Sequence, residues 1–381
     1  MKILYVAGRW DPRLQDEYSG NDFGAYNALK NQPESDVFLV GPFDFQFTLL
    51  ERVLIKLYSF FSPKRLFKYS LQYPKKCAEI IKDAIVLFQP DIIFSKYSAP
   101  LVEVDFDLPL VYMCDSIVPF SKEIANEFAK ASYRLMENWE RRVISKADRV
   151  ITFSQANANL IVSAYKTPEE NVFVFPIPAS VPENFLPDLE KSSKELSEPL
   201  HLLFVGKRPY LRGLDIAVEL VKKLNSEGVR TNLRVVGMSG KNEDQIEFMG
   251  VYNKEQPEQL KEYFANFHWA HLLIHPSRFH SAGIVITEAA SFGVPAITND
   301  VGGLATTVLD NETGLVLKSG STPTDYVAAI KSLIQDKSKY KRLSFNARRR
   351  FDSQLNWKVA GNTLYSIVKK TVNTNSEREK S

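Results

Sequence analysis

Short apolar runs alternate with longer stretches whose apolar residues recur every three or four positions, and the alternation persists along the whole chain. The runs predict one series of strands at Ile3–Ala7, Val37–Val40, Ile92–Phe94, Leu110–Met113, Arg149–Phe153 and Val172–Phe175. A second series is predicted at Leu202–Val205, Leu233–Val236, Leu272–Ile274 and Ala296–Thr298. Amphipathic stretches between them, such as Tyr133–Ile144 and Ile216–Leu224, predict helices. Strands that alternate with helices build βαβ units and parallel sheets, so the expected class is α/β. Between the two series, Pro176, Pro178, Pro182, Pro187 and Pro199 fall in a charged, Ser-containing run with the composition of a linker. The expected organisation is a domain over residues 1–178, a linker over 179–199 and a second domain over 200–355, two Rossmann-like halves facing each other across a cleft. A C-terminal segment over 356–373 carries an amphipathic helix at Val359–Val368, and the polar tail 374–381 is expected to be disordered.

Composition narrows the class without naming a function. The 381 residues are about two domains' worth of chain, with the apolar and charged fractions of an ordinary soluble protein. A net charge of +3 is too small to argue for a nucleic-acid partner. Cys77 and Cys114 lack metal-ligand or redox spacing and fit reduced thiols of a cytosolic protein. The chain starts on a strand rather than on a signal-peptide pattern, and no apolar run approaches the ~20 residues that cross a bilayer, so a cytoplasmic location is expected.

The chemistry concentrates between Ala270 and Gly314. There an apolar run leads into a loop of small residues, Ser281, Ala282 and Gly283, which opens a helical pattern at Ile284 with Glu288 inside it. A second apolar run ends at the pair Gly302-Gly303. Free amides and the positive end of the helix dipole suit such a loop to phosphate. Helical side chains lean toward the N-terminus, so the Glu288 carboxylate is expected to swing back and accept from two neighbouring hydroxyls, as an acid does on ribose in dinucleotide-binding folds. Earlier in the same half, Gly206, Lys207, Arg208, Arg212 and Gly213 follow a strand and precede a helix. Lys207 and Arg212 either reach a diphosphate or belong to a solvated basic loop.

The run from His275-Pro276-Ser277 through His280 and Gly283 to Glu288-Ala289, followed by Gly302-Gly303, resembles the donor-binding signature of the family 4 glycosyltransferases, retaining enzymes of the GT-B fold. That family writes the motif E-x7-E. Glu288 matches its second Glu, and His280 stands where the first is expected. The Glu that usually follows the glycine pair is Thr306 here. The resemblance implies that a sugar passes from a nucleotide-diphosphate donor to a glycan or lipid-linked acceptor, without a cofactor or metal and with retention at the anomeric carbon. A role in cell-surface polysaccharide or glycolipid biosynthesis follows from it.

The same resemblance carries over residue by residue. Lys207 and Arg212 match the family's two diphosphate cations in exchanged order. Gly206, Gly237, Ser281, Ala282, Gly283, Ile284 and Glu288 match its donor-binding positions. Gly20, in Ser19-Gly20-Asn21-Asp22-Phe23-Gly24, matches an N-terminal glycine loop, with an ordinary turn as the other reading. Asp115, at the end of a strand, matches an acid near the reacting sugar, with helix capping as the other reading. Imidazole cannot offer two acceptor oxygens, so three outcomes stand for His280. It becomes imidazolium beside the diphosphate and assists departure, it changes sugar specificity, or it marks loss of activity. A sugar-nucleotide epimerase of the same fold and an inactive sugar-nucleotide-binding protein are the alternatives to a transferase.

Residues 51–77 are rich in basic and aromatic side chains and hold a single acid. They read either as a peripheral contact with the anionic inner face of a membrane or as a helix that packs its aromatics into the domain.

Overall fold

The computed structural model describes residues 1–15, 20–62, 64, 66, 70–120, 129–188 and 194–378. Ser19, part of the glycine loop singled out above, and residues 379–381 of the tail lie outside them. The chain forms two compact units: the first gathers the described residues of 1–18, 22–175 and 361–381, the second those of 176–360 with those of 19–21.

In the first unit the order is β1 (Lys2–Val6), α1 (Asn21–Lys30), β2 (Asp36–Val40), α2 (Leu49–Phe61), α3 (Tyr73–Phe88), β3 (Ile92–Ser95), β4 (Leu110–Cys114), α4 (Lys130–Ile144), β5 (Arg149–Thr152), α5 (Gln155–Tyr165) and β6 (Val172–Val174). The six strands are parallel, in the order β2-β1-β3-β4-β5-β6. β3 and β4 are buried at every position, which is why they read as unbroken apolar runs. β2 lies at an edge and keeps polar and half-exposed positions. α2 begins in a reciprocal capping box between Thr48 and Glu51, which satisfies two backbone amides left over at the helix start.

The second unit continues with β7 (Leu200–Val205), α6 (Leu214–Ser226), β8 (Thr231–Val236), β9 (Ile246–Gly250), α7 (Pro257–Trp269), β10 (Leu272–His275), α8 (Ile284–Ser291), β11 (Ala296–Asn299), β12 (Gly314–Leu317), α9 (Pro323–Gln335) and α10 (Lys337–Arg350). Its parallel sheet runs β12-β11-β10-β7-β8-β9. The last helix, α11 (Trp357–Arg378), returns the chain to the first unit from Gly361 onward.

Each sheet therefore has one place where neighbouring strands send their chains in opposite directions, between β1 and β3 in the first unit and between β7 and β10 in the second. In open α/β sheets ligands bind beyond the strand carboxyl ends at such a switch point.

Two expectations need correction. The stretch 179–199 is not a loose linker where it is described. Ala179 and Leu186 pack on the second unit, and Lys194 donates to the carbonyls of Phe267, His268 and Ala270 at 2.9, 2.7 and 2.6 Å, closing the C-terminus of α7. Those carbonyls have no partner within their own helix, so a cation there is favourable. Part of the tail is helical, since α11 continues through Arg378, and Asn375 Nδ2 donates to Asp148 Oδ1 at 3.1 Å. β12 was not anticipated at all: it is four residues long and directly follows a turn.

Candidate functional site

In the second unit the switch point is built from the ends of β7 and β10. After β7, Gly206 is placed so that a Cβ would lie 2.9 Å from Arg212 Cγ; the missing side chain makes room for the Arg212 stem. Residues Pro209–Arg212 form one helical turn that ends at Gly213. From there the Arg212 guanidinium reaches across and donates to the Phe279 carbonyl. Arg278 fastens the two loops from the other side. Its guanidinium takes Asp215 bidentately at 2.8 and 2.6 Å, and its Nη1 also donates to the Tyr210 carbonyl at 2.7 Å. Burial pushes the Arg212 guanidinium down to about 10, with Arg208 adding to the effect, so it remains charged near neutrality. Lys207 is exposed, and among the described residues it has no ion-pair partner. Gly237 closes β8 against the Gly206 carbonyl.

After β10 the chain turns through Pro276 and Ser277 to the His280–Gly283 loop. Gly303 N donates to the His280 carbonyl at 3.0 Å, and a Cβ on Gly302 (φ +60°) would lie 2.1 Å from that same oxygen. Only glycine satisfies both the backbone conformation and the approach, so the glycine pair holds the loop in place. Gly283 then starts α8, and no side chain caps its N-terminus. Ser281, Ala282, Gly283 and Ile284 thus stand at an uncapped helix start, the arrangement that favours an anion.

Two side chains here have partners that the sequence did not reveal. His280 is held by a second imidazole. Its Nδ1 meets His275 Nε2 at 2.8 Å, and Ser277 Oγ lies 3.1 Å from the same His275 nitrogen. Burial first, then the nearby Arg212 charge and His275, hold the His280 ring well below the ordinary imidazole range. A neutral ring that exchanges one hydrogen bond with a second neutral ring is the stable state. Glu288 is held by two partners from the β9–α7 side. It is 3% exposed, with Lys254 Nζ at 2.7 Å from Oε1 and the Tyr263 hydroxyl donating to Oε2 at 2.6 Å. Lys254 also lies 4.0 Å from the Tyr263 ring centre. Neither Lys254 nor Tyr263 stood out in the sequence, since each is far from Glu288 along the chain and neither belongs to a motif. Thr306, where the resemblance led one to look for an acid, offers its carbonyl to Arg350 Nη2 at 2.9 Å.

In the first unit the same logic assembles a second cluster. Lys96, directly after β3, is buried and pairs with Asp22 Oδ1 at 2.9 Å. Asp115, directly after β4, lies 4.0 Å from the same ammonium, and the Tyr97 hydroxyl donates to Asp22. A Cβ on Gly8, which follows β1, would meet the Tyr97 ring at 2.6 Å. Asp115 is thus held beside a buried cation at the sheet's carboxyl edge. Lys96 was overlooked because a single Lys after a strand carries no sequence signal. Gly20 sits just before α1 at φ +74°.

Acid should act oppositely on the two units. Burial pushes His275 down to about 3 and His271 down to about 4, the latter with His201 and Lys194 contributing. Both are neutral when folded, so their stabilisation is complete above the unfolded value of about 6.5 and is lost as pH falls below it. At pH 5 each should cost the second unit about 2 kcal/mol. Burial pushes Glu140, in the first unit, up to about 7 against hydrogen bonds from Tyr165 and Val118. Its folded value lies above the unfolded one, so its contribution is present at low pH and lost as pH rises through 7, a gain of about 2 kcal/mol at pH 5 relative to pH 7.5. Hydrogen exchange at pH 5 and 7.5, corrected for intrinsic rates, should show protection falling in β7 and β10 while it rises in β4 and β5. Parallel changes in the two units would contradict these assignments.

Two family models match the chain: Glycosyl transferases group 1 over residues 187–350 and Glycosyltransferase Family 4 over residues 27–179. A D-inositol 3-phosphate glycosyltransferase of Paenarthrobacter aurescens (strain TC1) is 25% identical over 243 residues, 60% of this chain and 59% of that protein. The chain therefore spans less than two thirds of the length of this curated relative. Among solved structures, the sucrose-phosphate synthase of Thermosynechococcus elongatus superposes with a TM-score of 0.70 at 18% identity, covering 98% of this chain and 100% of that one. Anabaena HepE in complex with UDP-glucose superposes at 0.64 and 16% identity, covering 97% and 100%. At these identities the superpositions establish two Rossmann-like domains of the GT-B fold.

Proposed function

We propose that this chain, which belongs to glycosyltransferase family 4, moves a sugar from a nucleotide-diphosphate donor to an acceptor hydroxyl with retention at the anomeric carbon. The observation that carries this reading is the convergence at the β7/β10 switch point: Arg212 is seated on the Phe279 carbonyl, immediately before a glycine-held loop and an uncapped helix start. Cation, amides and dipole are all favourable to a diphosphate, and all matter most as negative charge grows on it. In this reading the bond between the anomeric carbon and the β-phosphate oxygen breaks with its electrons going to the diphosphate. The acceptor oxygen bonds to the same face of the sugar, and its proton goes to the leaving phosphate. Lys207, Arg212 and the amides from Ser281 to Ile284 hold the diphosphate, so its charge is assigned to the protein rather than to a metal. Glu288 takes the ribose, the loop that begins at Gly237 takes the base, and neutral His280 offers a hydrogen bond to the sugar. A glycan or lipid-linked acceptor in envelope polysaccharide or glycolipid assembly suits the family.

The test is a thermal-shift series with UDP, GDP, ADP and their sugars, the UDP series first because HepE was solved with UDP-glucose. One nucleotide series should raise the unfolding temperature, and the matching sugar nucleotide should yield free nucleotide only when an acceptor is added. No shift with any diphosphate would sink the reading. NMR that shows the donor's sugar changing configuration with no acceptor present would replace it with an epimerase.

A further inference from the structure

The face that α2 turns to solvent has the wrong chemistry for water. Leu49, Leu50, Phe60 and Phe61 are 80, 69, 84 and 82% exposed, and Val53, Leu54 and Leu57 are exposed with them. At 100° per residue these seven side chains fill one continuous arc of about 140°. The side of the helix that faces the protein carries Glu51, Ile55 and Tyr58. Glu51 is the anchor: its carboxylate accepts from Thr48, from Ser70 Oγ at 2.8 Å and from Leu71 N at 2.7 Å. Arg52 and Lys56 border the apolar arc on one side. Residues 51–77 hold seven Lys and Arg against one acid, and that acid is the buried Glu51. Of the aromatics in this helix, Tyr58 lies on the side of the protein while Phe60 and Phe61 face solvent.

We propose that α2 is a docking surface for an anionic lipid bilayer, lying in the interface with its apolar arc among the acyl chains and its cations at the headgroups. Its length decides the orientation: 13 residues span about 20 Å, short of the ~30 Å hydrocarbon core, so the helix lies flat rather than crossing. Charge decides the occupant. A second copy of the chain would bring two sets of like charges together across a two-fold axis. An anionic surface neutralises them and takes the apolar arc at the same time. This surface is independent of the donor chemistry and stands or falls separately from it.

Flotation of the full chain with phosphatidylcholine–phosphatidylglycerol vesicles and with phosphatidylcholine vesicles tests it. The chain should float with the mixed vesicles and partition at least about tenfold less onto phosphatidylcholine alone. F60S/F61S changes only exposed side chains, so it should keep the wild-type unfolding temperature and lose about thirtyfold or more in partition. R52Q/K56Q should lose on the order of tenfold on mixed vesicles and little on phosphatidylcholine. Failure of the wild type to float with mixed vesicles overturns the proposal, as does F60S/F61S floating like the wild type. A dimer seen by light scattering that F60S/F61S dissolves, with no vesicle capture, would assign the face to a second copy instead.

Discussion

Glu288→Gln should lower kcat/KM for the sugar nucleotide about a thousandfold, with most of the loss in KM. Each Glu288 oxygen already accepts one hydrogen bond, from Lys254 or Tyr263, and each retains a second lone pair. In the proposed complex those two lone pairs receive the ribose hydroxyls. Gln offers one oxygen and one NH2 group. With its oxygen toward Lys254, its NH2 meets the Tyr263 hydroxyl, which turns to accept, so the amide fits the site but presents a donor where the carboxylate presents an acceptor. One ribose hydroxyl then loses its acceptor and the other loses the charge on its acceptor, worth about 4 kcal/mol together. Ribose is remote from the bond that breaks, so it is held alike in ground and transition states, and KM takes the change. Scaffold damage is separable, because Glu288→Gln also leaves Lys254 without its partner in a partly buried site. Adding Lys254→Met should recover stability without recovering nucleotide affinity. If Glu288→Gln binds the nucleoside diphosphate within about threefold of wild type, the carboxylate does not hold the ribose.

This prediction draws on a pair of residues that periodicity and motif could not reveal. Strand positions were legible because parallel, doubly covered strands are apolar throughout: β3, β4 and β10 are buried at every position. The loop at Gly302-Gly303 was legible because only glycine tolerates its geometry. Partners of functional side chains were not. Asp215 and Arg278 are 63 residues apart and become neighbours only when β7 and β10 pair. His280 had hidden partners for the same reason: only the folded chain brings Arg212 and His275 to its ring. α2 failed differently. Its amphipathic period is plain, but period alone does not say which face is turned inward, and the usual assumption buries the apolar one. Here the inward face is chosen by a buried carboxylate, Glu51, with its own hydrogen-bond partners.

Arg212→Met should reduce kcat about a thousandfold while nucleotide affinity falls much less. The guanidinium sits in a site where burial has already pushed its pKa down to about 10, so the surroundings are poor in water and its field is weakly screened. Charge on a departing diphosphate is greatest in the transition state, so a half-buried cation lowers the barrier more than it tightens ground-state binding. Arg212→Lys keeps the charge but loses the planar fork that lets one nitrogen serve the Phe279 carbonyl while others face a ligand, and about a tenfold to hundredfold loss is expected. Lys207 is exposed, so Lys207→Met should cost about tenfold at low salt and progressively less as salt rises. Gly206→Ala tests position without touching charge. Its new methyl would press on Arg212 Cγ, 2.9 Å away, and shift the stem, so kcat should fall about tenfold. The ordering matters more than any single value: Arg212→Met worst, Arg212→Lys between, Lys207→Met alone in its steep salt dependence. If Arg212→Met retains kcat within about threefold, the diphosphate lies elsewhere, because no other reading of the β7/β10 edge leaves a half-buried guanidinium beside a phosphate site without consequence for the rate.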